Sequence, residues 1–324
     1  MEIGRISLFF LCFNNLFIYL IIFLNIKMNI GNQTNFHLIS YLGSKFTICD
    51  EVIKYFPKHD IYIEPFGGAA NVLIKKEKSR YEIYNDVYSD IVNLFCVLRN
   101  EYLSKELFKV LKRTPYAEDE YNLAYEQTDD PVEKARRLII RSTFSFHPSG
   151  IFNKNVFSFT PPKDLRNGGV KNVKLLKLPK KIGELHQRFK SVIITNRPAI
   201  NLIKSKYFNR PNALFYLDPP YVTKVSKASD LYENNYTESD HIALLKQADN
   251  LQSMVAISGY DNDIYADLLT KWKKVEINMP YRFDTSAQRS ENLQKKKTIE
   301  CLWLNPVLIE NLAKESGNKT LQLI

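Results

Sequence analysis

The alternation of short apolar runs with helical segments constrains the fold most strongly. Ile61-Tyr-Ile63 leads into Glu64-Pro-Phe-Gly-Gly-Ala-Ala70, a helical stretch starts at Asn71, and a second apolar run covers Tyr81-Glu-Ile-Tyr84. Strand, glycine turn, helix and strand in this order predict a parallel βαβ unit. We expect helices on both faces of the sheet, because parallel strands are buried on both sides.

The same pattern continues through the rest of the chain. The interval Glu101–Phe146 is mostly helical in period, whereas His147–Gly169 is rich in proline and glycine and is predicted as a loop. Further strands are predicted at Ser191–Ile194, Leu214–Leu217, Met254–Ile257, Lys274–Ile277 and Thr298–Leu304. The sequence therefore predicts an α/β sheet domain that is split by an insertion at residues 101–190.

Basic residues are concentrated in two segments. The chain has 45 lysine and arginine residues against 35 acidic ones, a net charge of +10. His147–Lys190 contains ten basic and two acidic residues, and Lys271–Lys297 contains eight and three. Such a concentrated excess is typical of a surface that binds a polyanion, usually nucleic acid. On charge alone, two solvated surface faces are an equally good interpretation.

Cysteine and histidine spacing argues against metal or disulfide chemistry. No Cys-x-x-Cys pair is present, which favours a reducing compartment over a zinc ribbon or a disulfide framework. The histidines show no ligand spacing, so no metal site is predicted. The cysteines are Cys12, Cys49, Cys96 and Cys301.

The amino-terminal segment departs from this pattern. Residues 6–26 are almost entirely apolar and long enough to cross a bilayer as a helix. They also resemble an uncleaved signal or anchor, because no small-x-small site precedes Met28. A third interpretation, which we favour, is that Met28 is the true start. We then expect a cytoplasmic protein that is soluble and fully active without residues 1–27.

Leu214-Phe-Tyr-Leu-Asp-Pro-Pro-Tyr221 brings chemically active residues to the carboxyl end of a strand, where open α/β sheets place ligands. The Asp218 carboxylate and a carbonyl of the rigid Pro219-Pro220 turn offer two acceptors to an NH₂ group. Tyr221 offers a flat face on which an aromatic ring can stack. An amino group on an aromatic base satisfies all of these groups. The alternative is a proline turn with Asp218 as a helix cap.

Ile63-Glu-Pro-Phe-Gly-Gly-Ala-Ala70 places small residues between a strand and a helix, where backbone N–H groups approach a cofactor closely. Asp86 follows Phe66 by 20 residues, just past the next strand. Dinucleotide-binding folds place an acid that meets ribose hydroxyls at this position. The turn and the acid together indicate a nucleotide-cofactor site, and a tight turn with a solvated Asp86 is the alternative.

Six motifs occur along the chain in the same order as in the Dam-type DNA adenine methyltransferases of phages and restriction-modification systems, which the chain therefore resembles. The resemblance covers nearly everything after about Leu38 and follows the family's order of cofactor part, recognition insert and catalytic part. The motifs are Tyr41-Leu-Gly-Ser-Lys45, Glu64-Pro-Phe-Gly-Gly, Tyr84-Asn-Asp86, Leu217-Asp-Pro-Pro-Tyr221, Ser258-Gly-Tyr260 and Leu302-Trp-Leu-Asn-Pro306.

The resemblance implies a Rossmann-like methyltransferase sheet with a smaller, mostly helical target-recognition insertion, and S-adenosyl-L-methionine as cofactor. It implies that Asp218, the Pro219 carbonyl and Tyr221 hold the amino group and ring of a flipped adenine during catalysis. It places beside the cofactor Tyr41, Lys45, Phe66, Gly68, Asp86 and Asp218.

The resemblance also implies the domain organisation. We expect an apolar extension at residues 1–27 and a cofactor-binding part at 28–100, followed by the target-recognition insertion at 101–190. The catalytic part then covers residues 191–310, and 311–324 form a tail. The implied partner is double-stranded DNA, and a cognate restriction endonuclease is a further candidate partner.

We expect the segment His147–Lys190 of the insertion to read DNA as a loop that follows a groove. Asn153 and Asn155 are predicted to read base edges, while Lys171, Lys174 and Lys177 contact phosphates. The alternative is that residues 173–178 form a helix packed on the core, with its lysines in solvent.

The chain departs from the family pattern at two places, and two alternative functions stay open, of which the second is supported by the change at Asn196-Arg-Pro198. Ala70 stands where many members have a last glycine, and Asn196-Arg-Pro198 replaces a segment that often carries an acid to contact the adenine of the cofactor. The alternatives are a cytosine-N4 methyltransferase, which would use the same two acceptors, and a catalytically weak DNA-binding relative.

Overall fold

The computed structural model describes residues 38–41, 43–158, 170–221, 236–278 and 299–317, and it describes the side chains there except those of residues 170–176 and 278. The apolar segment at residues 6–26 lies outside these ranges. Within them, no helix combines the length and the hydropathy needed to cross a membrane.

The strands of the described ranges form one seven-stranded sheet in the order β3-β2-β1-β4-β5-β7-β6. All neighbours are parallel except β7, which is antiparallel to both β5 and β6. The first five strands have the order of a dinucleotide-binding sheet. The strands are β1 (Ile61–Glu64), β2 (Tyr81–Asn85), β3 (Ile193–Thr195), β4 (Ala213–Leu217), β5 (Met254–Gly259), β6 (Lys273–Asn278) and β7 (Ile299–Leu304).

Helices in the described ranges connect these strands, together with a 3₁₀ turn at Pro148–Ile151. The predicted alternation of strands and helices is therefore confirmed. The helices are α1 (Cys49–Ile53), α2 (Asn71–Lys75), α3 (Ser89–Arg99), α4 (Glu101–Arg113), α5 (Glu118–Leu123), α6 (Pro131–Phe144), α7 (Val170–Phe189), α8 (Ala199–Ile203), α9 (Glu238–Asp249), α10 (Asp263–Leu268) and α11 (Pro306–Glu315).

Two hydrophobic cores cover opposite faces of the sheet. Strand side chains alternate between them: on β4, Leu214 and Tyr216 belong to one core, whereas Phe215 and Leu217 belong to the other. The first core contains buried residues of α1 to α7 and α11, and the second contains residues of α8, α9 and α10. Because both faces are covered, all residues of β4 and β5 are buried.

Helix starts follow from local side chains. Asp130 caps α6 by accepting hydrogen bonds from the amides of Val132 and Glu133, and Pro131 occupies the first turn, where no amide hydrogen is needed. Thr237 and Asp240 cap α9 reciprocally. Asp240 of this cap lines the cavity described below.

The loop interpretation of residues 147–190 is wrong for its second half, because α7 runs from Val170 to Phe189. The helix forms despite Gly183 and an internal Pro179, since its apolar residues recur at helical spacing and are buried: Leu178, Ile182, Leu185 and Phe189. Lys171, Lys174 and Lys177 therefore lie on a helix rather than in a groove-following loop.

The loop at residues 145–158 is held by tyrosine hydroxyl groups. Its ends pair through an isolated antiparallel bridge between Ser145 and Phe157. Tyr125 Oη donates to the Gly150 carbonyl over 2.6 Å, and Tyr121 Oη donates to the Asn155 carbonyl over 2.9 Å. We call residues 145–158 the reading loop, after the DNA-reading role predicted from the sequence for Asn153 and Asn155.

Candidate active site

A cavity of about 610 Å³ lies at the carboxyl ends of β1, β2 and β4. This is the point where the strand order reverses, since β1 has β2 on one side and β4 on the other. Open α/β sheets bind ligands at such a point. The cavity brings together all the residues expected to be catalytic or to bind the cofactor: Tyr41, Lys45, Phe66, Gly68, Asp86, Asp218, Pro219 and Tyr221.

Asp218, the first residue after β4, forms an ion pair with Lys45. Lys45 Nζ lies 2.6 Å from Asp218 Oδ1, and the two side chains are 6% and 19% exposed. Lys45 Nζ also donates to the hydroxyl of Tyr221 and, over 3.3 Å, to the Gly43 carbonyl. The amino-terminal motif and the catalytic motif thus form one hydrogen-bonded network.

Burial and charge act in opposite directions on this ion pair. Burial by itself would lower the pKa of Lys45, but the carboxylates of Asp218 and Glu300 raise that pKa above its ordinary value. Burial raises the pKa of Asp218, although nearby Lys45 acts to lower it. Lys45 therefore stays protonated, and its charge compensates the Asp218 carboxylate.

Backbone amide groups orient Asp86, which follows β2. Gly68 N donates to Asp86 Oδ2 and Tyr88 N donates to Asp86 Oδ1, both over 2.8 Å. Burial raises the pKa of Asp86, and these two hydrogen bonds act to lower it. Each carboxylate oxygen keeps acceptor capacity toward the cavity, because an ionised carboxylate has about four lone-pair sites.

The glycine turn after β1 is shaped by close packing against Tyr84. A Cβ atom on Gly67 would lie 2.1 Å from the Tyr84 ring, so only glycine fits there. Tyr84 Oη donates to the Gly68 carbonyl over 2.8 Å, and Gly68 has a φ of +46°. Ala70, which replaces a frequent glycine, also has a positive φ, of 54°.

Glu64, at the end of β1, is a buried acid that sequence reasoning did not single out. It is 2% exposed, lines the cavity, and accepts a hydrogen bond from Tyr62 Oη over 3.0 Å. Burial raises the pKa of Glu64 to about 8, against the effect of the Tyr62 hydrogen bond. The sequence feature that could have identified Glu64 as a site residue is its position directly before the glycine turn.

Asn196 supports the Asp86 segment rather than lining the cavity. Its Nδ2 donates to the carbonyls of Asp86 and Val87 over 2.7 and 3.1 Å. The cavity wall on this side is formed instead by Pro198, Ala199 and Ile200.

The residues predicted to contact DNA lie in two places. In the reading loop Asn153 is exposed. Asn155 is half-buried, and its Nδ2 donates a hydrogen bond to the His147 carbonyl of the same loop over 3.3 Å. Lys177 is exposed on α7, and the side chains of Lys171 and Lys174 lie outside the described part of the structure. The loop also exposes Phe146 and Val156, at 70% and 72%.

Two further residues of the site were missed. Phe152 of the reading loop lines the cavity, and Glu300, on β7, contacts Tyr221 and Lys45. A single acid inside the apolar run Thr298–Leu304 was the only sequence signal for Glu300. Among the residues that the structure describes, no cluster of three or more potential ligands could hold a metal ion.

The sheet order and the cavity at its point of reversal define a Rossmann-like methyltransferase fold. The chain belongs to the D12 class N6 adenine-specific DNA methyltransferase family, whose model matches residues 41–281.

Individual relatives are DNA adenine methylases of enterobacteria and Vibrio. The Salmonella typhi protein is 29% identical over 122 residues, and that of Escherichia coli K12 is 28% identical over the same length. Each of these two alignments covers 36% of this chain and 43% of the relative, less than half of its length. The protein of Vibrio cholerae O395 is 20% identical over 247 residues, which cover 69% of this chain and 80% of the relative.

Proposed function

We propose that the protein transfers a methyl group from S-adenosyl-L-methionine to the exocyclic N6 amino group of adenine in a specific double-stranded DNA sequence. The observation that carries this proposal is the shared cavity: Asp218, Pro219 and Tyr221 face the same space as Gly68 and Asp86. A base-binding motif and a nucleotide-cofactor motif on one cavity are what a transfer between the two ligands requires.

The cavity residues fit such a cofactor. The volume of about 610 Å³ lies within the range of small-molecule sites. Asp86 is oriented to accept hydrogen bonds from ribose hydroxyls, and the turn at Gly67 lets the backbone approach closely. Even without Glu64, whose carboxyl is protonated near neutral pH because burial raises its pKa to about 8, acidic side chains outnumber basic ones in the lining, which favours a cationic ligand. They are Asp86, Asp218 and Asp240 against Lys45 and Lys204.

The catalytic residues act on the nucleophile. S-adenosylmethionine supplies an electrophilic methyl group on a sulfonium centre. The adenine amino nitrogen is a poor nucleophile, because its lone pair is delocalised into the ring. Asp218 and the Pro219 carbonyl accept hydrogen bonds from its two N–H groups and stabilise the positive charge that develops on it as the methyl group leaves the sulfonium sulfur, while Tyr221 holds the ring by stacking. Asp218 acts during the transfer as an ionised electrostatic partner rather than as a strong base. The methylated nitrogen is then cationic and acidic, and it loses its extra proton to the Asp218 carboxylate, from which the proton passes to solvent.

The base has to leave the duplex to reach this cavity. We assign DNA contact to the exposed Asn153 and to the lysines of α7, and the reading loop also exposes Phe146 and Val156. We assign the protein to the cytoplasm, where its DNA substrate is found, and a cognate endonuclease is a further proposed partner.

The test is expression in cells that lack adenine methylation, followed by modification-sensitive sequencing of their DNA. We expect N6-methyladenine at one sequence context in cells with the wild-type protein. Asp218→Ala should reduce methyl transfer by at least about 10²-fold and leave cofactor and DNA affinities within a few fold. Asp129→Ala, which removes an exposed carboxylate outside the site, is the control.

Other results would favour the alternatives. N4-methylcytosine in the reads would assign the same two acceptors to cytosine. Unmodified DNA together with no heat of cofactor binding by calorimetry would indicate a DNA-binding relative without activity. Near-normal turnover of Asp218→Ala would contradict the mechanism itself.

A further inference from the structure

Glu300 is a buried acid behind the catalytic motif. It lies on β7, opposite Ile277 of β6, and is 1% exposed. Its Oε1 accepts a hydrogen bond from the Tyr221 hydroxyl over 2.6 Å and lies 3.5 Å from Lys45 Nζ. Glu300 does not itself line the cavity, so it has no route to a substrate except through these two partners.

The hydrogen bonds in this cluster have a defined direction. Lys45 donates to the Tyr221 oxygen, and Tyr221 in turn donates to Glu300. The Tyr221 hydroxyl is thus held from both sides, which fixes the position of its ring. A phenol bonded to a buried carboxylate is held more firmly than one bonded to water, because charge-assisted hydrogen bonds are the stronger ones.

The ammonium group of Lys45 lies close to two carboxylates, those of Asp218 and Glu300. Lys45 Nζ is 2.6 Å from Asp218 and 3.5 Å from Glu300, so the three groups together carry a net charge of −1 when all are ionised. In the absence of substrate Lys45 neutralises Asp218, which is the group that must receive the amino group of the target base. An acid within reach of Lys45 provides an alternative partner for its charge.

We propose that Glu300 is a positioning residue for methyl transfer: it fixes the Tyr221 ring and accepts the charge of Lys45 when Asp218 exchanges that partner for the substrate amino group. This inference rests on the proposed function. The carboxylates of Asp218 and Glu300 raise the pKa of Lys45, although burial by itself would lower it. Without the Glu300 charge, Lys45 and Asp218 together would be neutral. The site would then stabilise the positive charge that develops on the amino nitrogen less well.

The test compares Glu300→Gln with the wild type under single-turnover conditions, with cofactor and DNA affinities measured separately. Glutamine keeps the shape and an acceptor for Tyr221 but removes the charge. We expect a single-turnover rate at least about tenfold lower, with both affinities within twofold. Glu310→Gln, which removes an exposed carboxylate on α11, should leave the rate unchanged.

Glu300→Asp separates charge from packing, because it keeps the carboxylate and shortens the side chain. We expect it to restore most of the rate that Glu300→Gln loses. Equal losses in the two variants, or a Glu300→Gln rate within twofold of the wild type, would overturn the proposal. If the glutamine variant fails to fold, Glu300→Ala takes its place: a rate at least about tenfold lower with unchanged affinities supports the proposal, and a rate within twofold of the wild type overturns it. An inactive wild type would instead contradict the proposed function.

Discussion

The rings of Tyr41 and Phe152 are in edge contact, with centroids 5.5 Å apart and planes at 70°. Tyr41 belongs to the amino-terminal motif of the cofactor part, and Phe152 belongs to the reading loop. Phe152 also lies 5.0 Å from the ring of Tyr88, and all three residues line the cavity. A loop that we assign to DNA reading therefore supplies part of the wall of the proposed cofactor site.

This contact predicts coupling between the two ligands. Phe152→Ala should weaken cofactor binding by up to about tenfold, since losing an aromatic contact of this kind costs about 0.5–1.5 kcal/mol. It should also reduce the factor by which bound cofactor strengthens DNA binding, because coupling between two sites is reciprocal. Calorimetry with each ligand, alone and in the presence of the other, measures both quantities.

Tyr102→Ala is the matched control, because this aromatic side chain is 70% exposed on α4. It should leave both affinities and their coupling unchanged. If Phe152→Ala binds cofactor like the wild type, the reading loop is not a functional part of the cavity wall.

A second prediction concerns the glycine turn. Gly67→Ala would place a methyl group 2.1 Å from the buried ring of Tyr84, which supports the Gly68 carbonyl. Overpacking of this kind costs about 1–3 kcal/mol, so we expect a lower melting temperature and at least tenfold weaker cofactor binding. Gly183→Ala provides the comparison: nothing lies within 4 Å of its added Cβ, and it should stabilise α7 by about 0.5–1 kcal/mol. Equal behaviour of the two variants would contradict this account.

The sequence predicted more of the site than of the insertion. Each expected cofactor and catalytic residue stands at the end of a predicted strand or in the amino-terminal motif. Parallel topology brings strand ends to one edge, which explains why Asp86 and Asp218, each predicted at the end of a strand, lie together as the family resemblance implied. The seven strands were predicted within a few residues for the same reason, since their apolar runs are continuous.

The parts that could not be predicted depend on distant contacts. Pro179 and Gly183 are local helix breakers, yet α7 forms because Ile182 and Phe189 are buried against other helices. Arg188 of α7 also pairs with Glu82 of β2, which is 2% exposed and bonded to Lys76 over 2.8 Å. Arg188 and Glu82 lie 106 residues apart in the chain, so no local pattern contains this pair.

A third prediction follows from the raised pKa of Glu64. The folded protein holds this proton up to a pH of about 8, whereas the unfolded chain releases it near the ordinary value of 4.5. Between these pH values the unfolded state binds fewer protons, so the free energy of unfolding falls as pH rises, and it levels off above pH 8. Glu64→Gln removes this contribution.

Urea unfolding at pH 5, 6.5 and 8 measures the effect as a difference between variants. The stability of Glu64→Gln relative to the wild type should increase with pH, with a slope of up to about 1.4 kcal/mol per pH unit. Glu310→Gln, on exposed α11, should give a curve parallel to that of the wild type. A constant difference between Glu64→Gln and the wild type would show that Glu64 is already ionised in the folded protein.

The last prediction concerns the basic face of α7. Lys171, Lys174 and Lys177 recur every three residues on one helix, so they share one broad face. If this face contacts phosphates, replacing the three lysines by glutamine should weaken binding to all DNA sequences. It should also reduce the slope of log affinity against log salt by about one unit per lost contact. Replacing Asn153 should instead blur the methylated sequence in sequencing reads while sparing non-specific affinity.

The control variant makes the same change of charge elsewhere, at the exposed Lys54, Lys246 and Lys314. Fluorescence anisotropy with specific and non-specific duplexes over a range of salt concentrations compares the two variants directly. An unchanged slope for the α7 variant would mean that its lysines are idle in solvent. The basic segment Lys271–Lys297 would then be the next candidate for the phosphate contacts, because it holds eight basic and three acidic residues and forms the other concentration of positive charge in the chain.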